Sequence, residues 1–394
     1  CKEGKVKAAW AVENGIAEAV MKMSFGNEIG FTADNAVKGA DWYLPFYGFI
    51  VAELTEDVAL RGTLKLGMTT AEPVIRLNGE SATVAELLAI NEGTLEGVYP
   101  TDAPAKDAAP VAFAYEGKGA SAPAVKCARP KALIPVFPGT NCEYDSARAL
   151  ERAGAEADIV VIRNLTADDV ARSVENVAAR IAESNMIFIP GGFSGGDEPD
   201  GSAKFITAFF RNPAIKEEVT KLLEQRDGLM LGICNGFQAL IKLGLVPYGK
   251  IMDTDETCPT LAHNIIGRHQ SKLVRTRICT TKSPWLAGTQ VGEIYTVPIS
   301  HGEGRFLASA DLVKSLAENG QIATQYVDLD GNPTMDTAFN PNGSIAAIEG
   351  ILSPDGRVLG KMGHSERVGK NLYRNVLGQY DMHLFESAVK YFKG

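Results

Sequence analysis

The sequence ADIVVIRNLTADDVARSVENVAARIAESNMIFIP, residues 157–190, indicates the fold of the larger part of the chain. Two short apolar segments enclose a long segment, 168–183, that has the periodicity of an amphipathic helix. Apolar strands separated by helices are typical of a parallel sheet that is covered on both faces. We therefore predict a strand, a helix and a second, parallel strand over this stretch.

The same alternation continues on both sides of this unit. Further apolar segments lie at 131–137 and 228–233, and further helical segments at 144–153, 203–225 and 237–243. The pattern predicts an α/β fold with a doubly wound, mostly parallel sheet over 129–394. In such sheets the functional residues gather where loops leave the carboxyl ends of the strands.

The first hundred residues have a different pattern, which predicts a smaller α+β lobe. Strand-like and helical segments alternate irregularly there, with strands expected at 5–10, 44–54, 63–71 and 74–77 and helices at 16–23 and 84–90. An Ala- and Pro-rich stretch follows, without amphipathic periodicity. We predict a lobe at 1–100, a linker at 101–128 and a complete domain at 129–394.

Composition excludes several classes of function. The 394 residues include 39 Lys and Arg against 48 Asp and Glu, a net charge of −9, which disfavours nucleic-acid and anionic membrane partners. No apolar run reaches the roughly 18 residues of a membrane span, so we expect a soluble, cytoplasmic protein. The six cysteines form no C-x-x-C pair, which predicts free thiols in a reducing compartment and no metal site.

A candidate nucleophile follows the apolar segment 228–233. Gly232-Ile233-Cys234-Asn235-Gly236 has the pattern G-x-C-x-G between a strand and a helix. Glycines allow the tight turn of a nucleophile elbow. The helix N-terminus beside it favours a thiolate and can donate to a developing oxyanion. We interpret Cys234 as the nucleophile of a hydrolase.

Two of the five histidines follow late strands and are candidate bases. His364 is followed two residues later by Glu366, and His301 is followed at the same offset by Glu303. A carboxylate close to a histidine can orient its imidazole, so the residues alone leave both candidates open. The other three histidines are expected to be structural or solvated: His263 and His269 in a polar, loop-like stretch and His383 in a terminal helix.

The glycine-rich segment 190–197 follows another predicted strand. It lacks the Gly-Lys-Ser/Thr ending of a phosphate-binding loop and the G-x-G-x-x-G pattern of a dinucleotide site. A backbone N–H that approaches a reacting carbonyl needs a residue without Cβ, and Gly191 or Gly192 meets that need. We predict an oxyanion loop.

Five segments together resemble the class I, or triad, glutamine amidotransferases, and most closely the glutaminase domains of single-chain phosphoribosylformylglycinamidine synthases. They are FPGTNCEYDSARALERAGAE (137–156), PGGFSGGDEPDG (190–201), GICNGFQALIKLGLVP (232–247), PISHGEGRF (298–306) and GHSER (363–367). The resemblance covers essentially all of 129–394 and implies a flavodoxin-like sheet.

The resemblance also implies roles for particular residues. It places the nucleophile at Cys234, the base at His364 and the orienting acid at Glu366, which decides against His301. Cys142 falls on a position that is not nucleophilic, so it is expected to be structural. The oxyanion donors would be Gly192 and the N–H of Asn235, and the glutamine-binding residues would be Gln238, Ser300, Gly302 and Glu303. Many relatives carry proline where this chain has Ser365, and its loss loosens the turn but keeps both functional side chains.

The function that the resemblance implies is hydrolysis of L-glutamine. The ammonia would serve an ATP-dependent conversion of formylglycinamide ribonucleotide to its amidine in purine biosynthesis. Residues 1–100 resemble the last lobe of the synthetase half, so the chain is expected to start at a truncation point, Cys1. The partners would be upstream synthetase domains, with ATP and Mg²⁺ bound there and no cofactor on this chain.

Three other readings stay open on the sequence. An N-terminal-nucleophile hydrolase would use Cys1, although such enzymes begin with Cys-Gly and this chain begins with Cys1-Lys2. The elbow could also belong to another α/β cysteine hydrolase, such as a peptidase. Finally, the chain could be a catalytically silent piece that only docks on synthetase modules.

Overall fold

The computed structural model describes residues 2–58, 61–103, 109–117, 119, 121–194, 202–373 and 376–394. Contacts divide the chain into two compact units, Cys1–Thr101 with Tyr373–Leu377 and Asp102–Leu372 with Gly378–Gly394. Two predicted features, Cys1 and the end of the glycine-rich loop at 195–201, lie outside the described residues. Within the described ranges, no helix combines the length and the apolar character needed to cross a membrane.

The first unit is the α+β lobe that the sequence predicts. Its elements are β1 (Val6–Ala11), α1 (Ile16–Phe25), β2 (Gly30–Ala33), β3 (Ile50–Leu54), β4 (Gly67–Thr70), β5 (Val74–Leu77), β6 (Glu80–Thr83) and α2 (Val84–Gly93). Strands β1 and β3 form a two-stranded sheet, and the others form a four-stranded sheet in the order β4-β2-β5-β6. Val20, Phe31 and Trp42 lie in its small core.

Two strands of this lobe are shorter than predicted. The expected strand at 44–54 exists only as Ile50–Leu54, and the one at 63–71 only as Gly67–Thr70. Pro45 and Gly48 precede β3, and proline and glycine weaken or end regular strands. The apolar residues before β3 therefore lie outside the sheet.

The second unit contains most of the strands, and they alternate with helices along the chain. They are β7 (Lys131–Val136), β8 (Glu156–Val161), β9 (Met186–Ile189), β10 (Leu229–Ile233), β11 (Thr260–His263), β12 (Gln270–Ile278), β13 (Ile294–His301), β14 (Glu303–Leu307), β15 (Ile322–Val327), β16 (Ile348–Leu352) and β17 (Val358–Lys361). The helices are α3 (Glu143–Ala153), α4 (Ala167–Glu183), α5 (Lys204–Phe210), α6 (Pro213–Glu224), α7 (Asn235–Leu243), α8 (Leu245–Tyr248), α9 (Ala310–Glu318) and α10 (Leu384–Lys393).

Nine strands form one sheet in the order β13-β12-β15-β16-β17-β10-β9-β7-β8. The five strands from β17 to β8 are mutually parallel, which confirms the predicted doubly wound α/β fold. The other four extend the sheet with antiparallel pairs. Every residue of β9, β10 and β17 is buried, as expected for strands that are covered on both faces.

The described residues of the predicted linker pack on the second unit. The N–H of Tyr115 donates to the carbonyl of Cys279 over 2.9 Å, and that of Phe113 donates to the Gln325 side chain over 2.9 Å. Most of this stretch is therefore grouped with the second unit. The assignment of the first unit to a synthetase stays a prediction.

Two histidines lie in different elements from those predicted. His263 is the last residue of β11 instead of lying in a loop, because it pairs with Glu303 across the β11–β14 sheet. His383 precedes α10 instead of lying within it, and its φ of 52° is left-handed, which is incompatible with a right-handed helix.

Candidate active site

Four loops of the second unit leave the same edge of the sheet. Cys234 follows β10, Gly191 follows β9, His364 follows β17 and Cys142 follows β7. Because these strands are parallel neighbours, the loops after them meet at one end of the sheet. The candidate site is built there.

Cys234 forms the turn between β10 and α7. Its φ of 54° with ψ of −107° is a conformation that non-glycine residues rarely adopt. The flanking glycines are required by packing: a Cβ on Gly232 would lie 2.6 Å from the Gly236 carbonyl oxygen, and one on Gly236 would lie 1.9 Å from that of Ile189. This is the strand-to-helix elbow that the G-x-C-x-G pattern predicts.

The thiol of Cys234 is buried at the start of α7, with only 5% of the residue exposed. Its backbone N–H donates to the Lys361 carbonyl over 2.9 Å, and its Sγ lies 3.7 Å from the Ser300 carbonyl oxygen. The first N–H groups of a helix have no partner within the helix, and its dipole is positive at that end. Both features favour negative charge at this turn.

His364 and Glu366 form a buried pair beside the thiol. Nδ1 of His364 lies 2.6 Å from Oε1 of Glu366. Burial by itself lowers the pKa of His364, but the Glu366 charge and interactions with the Cys142 and Cys234 thiols outweigh it. The pKa of His364 is therefore raised well above its ordinary value. This imidazole is a strong base in contact with a thiol.

The rival histidine, His301, has a different environment. Its Nδ1 lies 3.2 Å from Oδ1 of Asn264. Burial, with the charges of His364 and His269, lowers the pKa of His301 to about 3. A histidine with so low a pKa is a weak base, which favours His364 as the acceptor of the thiol proton.

The glycine-rich loop lies against the same turn. A Cβ on Gly191 would lie 2.7 Å from Cε1 of His364 and 3.4 Å from Cβ of Cys234, so Gly191 borders the space between them. Gly192 has a φ of 144° and packs against the Gly139 and Thr140 backbone, where a Cβ would come within 2.6 Å. Both positions need glycine, for different reasons.

Two of the predicted glutamine-binding residues, Gln238 and Glu303, form one buried chain of hydrogen bonds with Asn235, a predicted oxyanion donor. Asn235 donates from Nδ2 to Oε1 of Gln238 over 2.9 Å, and Gln238 donates from Nε2 to the Glu303 carbonyl over 2.6 Å. Oε2 of Glu303 accepts from the N–H and hydroxyl of Ser202. Within the described part of the chain, Oε1 of Glu303 has no hydrogen-bond partner. His263 Nε2 is 3.6 Å from it.

The other two predicted binding residues lie at the turn between β13 and β14. The Ser300 hydroxyl lies 3.1 Å from Nε2 of His269, whose ring packs against Phe193. The Gly302 carbonyl accepts from the N–H of Asn264 over 2.8 Å. The Ser300 carbonyl therefore contacts the Cys234 thiol, while the Gly302 carbonyl forms a backbone hydrogen bond with Asn264.

Cys142, which the sequence predicts to be structural, approaches the candidate triad closely. Its Sγ lies 2.8 Å from Nη2 of Arg367 and 4.0 Å from Nδ1 of His364. Arg367 belongs to the GHSER segment, but nothing in the sequence relates that segment to Cys142, which lies 225 positions earlier. The fold brings them together because β7 and β17 end at the same edge.

The described residues contain two groups that could in principle hold a metal ion. The ligand atoms of Cys142, His364 and Glu366 lie within 4.8 Å of one another, as do those of an exposed group made of Asp381, His383 and Glu386. The buried group is a poor cation site because the Arg367 guanidinium already donates to the Cys142 sulfur. We assign no metal to either group.

Comparisons with known proteins agree with the motifs. Residues 129–392 match the family model described as a CobB/CobQ-like glutamine amidotransferase domain. The phosphoribosylformylglycinamidine synthase subunit PurQ of Methanococcus maripaludis is 35% identical over 239 residues, which cover 60% of this chain and 82% of the relative. The subunit of the same name from Symbiobacterium thermophilum is 34% identical over 265 residues, covering 66% and 96%.

Among solved structures, PurLQS from Thermotoga maritima is similar, with 28% identity and a TM-score of 0.47, over 67% of this chain and 99% of that one. The family match covers more than half of the chain, and the PurQ relatives are matched over most of their length. These matches confirm the predicted resemblance. The chain therefore belongs to the CobB/CobQ-like glutamine amidotransferase family, together with the PurQ subunits of phosphoribosylformylglycinamidine synthases.

Proposed function

We propose that this chain hydrolyses L-glutamine through Cys234, His364 and Glu366, and that the ammonia serves the synthesis of formylglycinamidine ribonucleotide. The observation that carries the proposal is the buried His364–Glu366 pair beside an elbow cysteine, with 2.6 Å between Nδ1 and Oε1. A base, an orienting carboxylate and a nucleophile in contact are the arrangement that acyl transfer needs.

The first step is attack of the Cys234 sulfur on the side-chain amide carbon of glutamine. His364 takes the thiol proton, and a tetrahedral intermediate with a negatively charged oxygen forms. His364 then gives that proton to the departing nitrogen, which leaves as ammonia while a γ-glutamyl thioester remains. Water, activated by the same imidazole, attacks the thioester, and glutamate leaves as the thiol is restored.

Glu366 holds the imidazole in the orientation that this sequence of proton transfers requires. Because Nδ1 of His364 donates to the carboxylate, Nε2 is the atom left for the thiol and the leaving group. The carboxylate also stabilises the imidazolium that forms after the proton has moved.

The oxyanion would be stabilised by backbone N–H groups of Asn235 and Gly192. Asn235 is the first residue of α7, so its N–H has no partner within the helix. Gly192 lies in the loop that borders the thiol. A single donor of this kind contributes about 3 kcal/mol to transition-state stabilisation.

The glutamine would bind through the chain of hydrogen bonds that ends at Glu303. Oε1 of this buried carboxylate lies 3.6 Å from Nε2 of His263 and has no hydrogen-bond partner among the described residues. A buried carboxylate oxygen without a hydrogen bond is costly. The α-ammonium of glutamine is a partner of the right charge. Nε2 of Gln238 would hold the backbone carbonyl of Glu303 in place. Ser300 and Gly302 would form one wall of the site.

The ammonia acceptor would be bound by a synthetase partner. The PurQ relatives are named as subunits of phosphoribosylformylglycinamidine synthases, and we propose a synthetase partner for this chain, with ATP and Mg²⁺ bound to that part. The first unit offers an apolar groove of about 1320 Å³, lined by residues that include Ile16, Val51 and Leu66. Large apolar side chains of this groove stay exposed, among them Phe49 and Ile50, as expected of a docking surface.

The proposal is tested with Cys234→Ala, assayed for release of glutamate from glutamine with and without an added synthetase portion. We expect loss of glutaminase activity, while synthesis from added ammonium salt is retained. The matched control is Cys127→Ala, which removes a half-buried free thiol elsewhere in the second unit and should leave both activities unchanged. Glutaminase activity that survives in Cys234→Ala would contradict the assignment.

The same proteins separate the other readings. A glutamine-analogue electrophile should label Cys234 and not Cys1, and glutamine should suppress the labelling. Cleavage of peptides in preference to glutamine would indicate a peptidase. Absence of labelling in the presence of the synthetase portion would indicate a silent docking piece.

A further inference from the structure

A buried ion pair lies directly beside the segment that carries His364. Nζ of Lys361 is 3.2 Å from Oε1 of Glu349, and both side chains are 0% exposed. Lys361 is the last residue of β17, and Glu349 lies on the antiparallel neighbour β16. Removing two charges from water is costly, so a pair of this kind is kept only where its hydrogen bonds are well satisfied.

All three donors of the ammonium have acceptors. Besides Glu349, Nζ of Lys361 donates to the Gly363 carbonyl over 2.9 Å and to the Ser365 hydroxyl over 3.1 Å. Gly363 and Ser365 are the two residues that flank His364. The ammonium therefore connects the backbone on one side of the imidazole with the side chain on the other.

Glu349, the negatively charged partner of the ion pair, also binds the segment that carries His364. Its Oε1 accepts from the N–H of Gly363 over 2.6 Å, and its Oε2 accepts from the Thr324 hydroxyl. Both polar groups of Gly363 are thus bound by one ion pair. The network has no unmet donor on Lys361, and such fully satisfied networks make a buried region rigid.

The segment needs this support because of Gly363. A Cβ at that position would lie 2.8 Å from both Cγ atoms of Val297 and 3.0 Å from Oε1 of Glu349, so no side chain fits. Glycine leaves the backbone with more conformational freedom than any other residue. Gly363, the residue before the candidate base, therefore has an intrinsically flexible backbone, which its hydrogen bonds to Lys361 and Glu349 hold in place.

We infer that Lys361 and Glu349 are positioning residues of the glutaminase reaction, which hold Gly363 and Ser365 so that the His364 imidazole stays between Cys234 and Glu366. This rests on the proposed function, since the pair acts through the proposed base. Catalysis is sensitive to such placement, because a shift of about 1 Å can cost a hundredfold in rate.

The test uses the full chain with two variants of different severity. Lys361→Met/Glu349→Gln removes both charges together, so that neither is left buried alone, and Ser365→Ala removes one acceptor without touching a charge. Ser365→Thr keeps the hydroxyl and serves as the rescue variant. Ser353→Ala is the matched control, since it deletes another buried hydroxyl, which binds Asp355 and the N–H of Val358, the first residue of β17.

Two readouts separate positioning from general stability. The first is alkylation of Cys234 by 6-diazo-5-oxo-L-norleucine, resolved into the maximal inactivation rate and the half-saturating concentration. The second is the nuclear magnetic resonance signal of His364 in protein labelled with ¹⁵N-histidine, which is tractable with five histidines. Circular dichroism and thermal unfolding confirm that each variant is folded.

We expect the double variant to lose about tenfold or more in maximal inactivation rate, with the half-saturating concentration within about twofold, and to shift the His364 signal. Ser365→Ala should change both readouts less and in the same direction, and Ser365→Thr and Ser353→Ala should match the unmodified chain. Folded variants with an unchanged rate and signal would overturn the inference, and Ser365→Ala alone decides if the double variant does not fold.

Failure of the proposed function gives a different result. If the adduct forms equally in Cys234→Ala, the nucleophile is misassigned. The His364 signal then still reports whether the ion pair positions the imidazole, because that readout does not depend on turnover.

Discussion

Nδ1 of His364 lies 2.6 Å from Oε1 of Glu366, and neither side chain is more than 2% exposed. Hydrogen bonds to a charged partner in a buried site are short and strong. Burial opposes the charge on the imidazole, and the carboxylate more than compensates, so the pKa of His364 lies well above its ordinary value. Glu366, two residues away, is thus a main cause of the raised pKa of His364, together with the Cys142 and Cys234 thiols.

Glu366→Gln should reveal that dependence. The amide keeps the size of the side chain but carries no charge, so we expect the pKa of His364 to fall. Loss of effective acid–base catalysis should lower kcat for glutamine about a hundredfold or more, with little change in KM. The measurement is glutaminase kinetics together with the pH dependence of Cys234 alkylation. Glu318→Gln, on the exposed face of α9, is the control, and an equal kcat in both variants would refute the role.

Gly191→Ala should block the site without unfolding the protein. The added Cβ would lie 2.7 Å from Cε1 of His364 and 3.2 Å from Sγ of Cys142, in the space beside the Cys234 thiol. We expect at least a tenfold loss of glutaminase activity, since small displacements of reacting groups are costly. Activity and thermal unfolding are measured together. Gly369→Ala, where a Cβ would meet nothing within 4 Å, is the control, and full activity of Gly191→Ala would contradict the geometry.

His301 should make the protein less stable in acid. Burial, reinforced by the charges of His364 and His269, lowers the pKa of His301 to about 3, against about 6.5 in an unfolded chain. Between these values the unfolded state binds a proton that the folded state does not. The contribution of neutral His301 to the free energy of unfolding is therefore complete above pH 6.5 and is lost as the pH falls towards 3.

The measurement that checks this prediction is the free energy of unfolding, obtained from denaturant titrations between pH 6.5 and 4. His301→Gln cannot take up that proton, so its stability should fall less steeply with acid, by up to about 1.4 kcal/mol per pH unit. The matched variant is His383→Gln, whose side chain is 55% exposed and which should keep the slope of the unmodified chain. Identical slopes for all three proteins would show that His301 does not contribute.

Much of the fold was predictable because the hydrophobic pattern records it locally. The alternation across 131–243 predicts the parallel strands, and they occur as β7 to β10 with the helices between them. The antiparallel extension by β12, β13, β15 and β16 was not predicted. Strand direction and neighbour depend on contacts between distant segments, which periodicity does not record.

The residues available for chemistry can be identified from the sequence alone: a G-x-C-x-G elbow at Cys234, a His-x-Glu at 364–366 and a glycine-rich loop at 190–197. Which of these groups lie in contact depends on the fold. The fold brings Cys142 and Arg367 to the candidate triad. It also places Nδ1 of His301 beside Oδ1 of Asn264, and the Lys361–Glu349 ion pair beside the segment that carries His364. Adjacent parallel strands carry loops from distant parts of the chain to one edge of the sheet, and the hydrophobic pattern does not record which strands become neighbours.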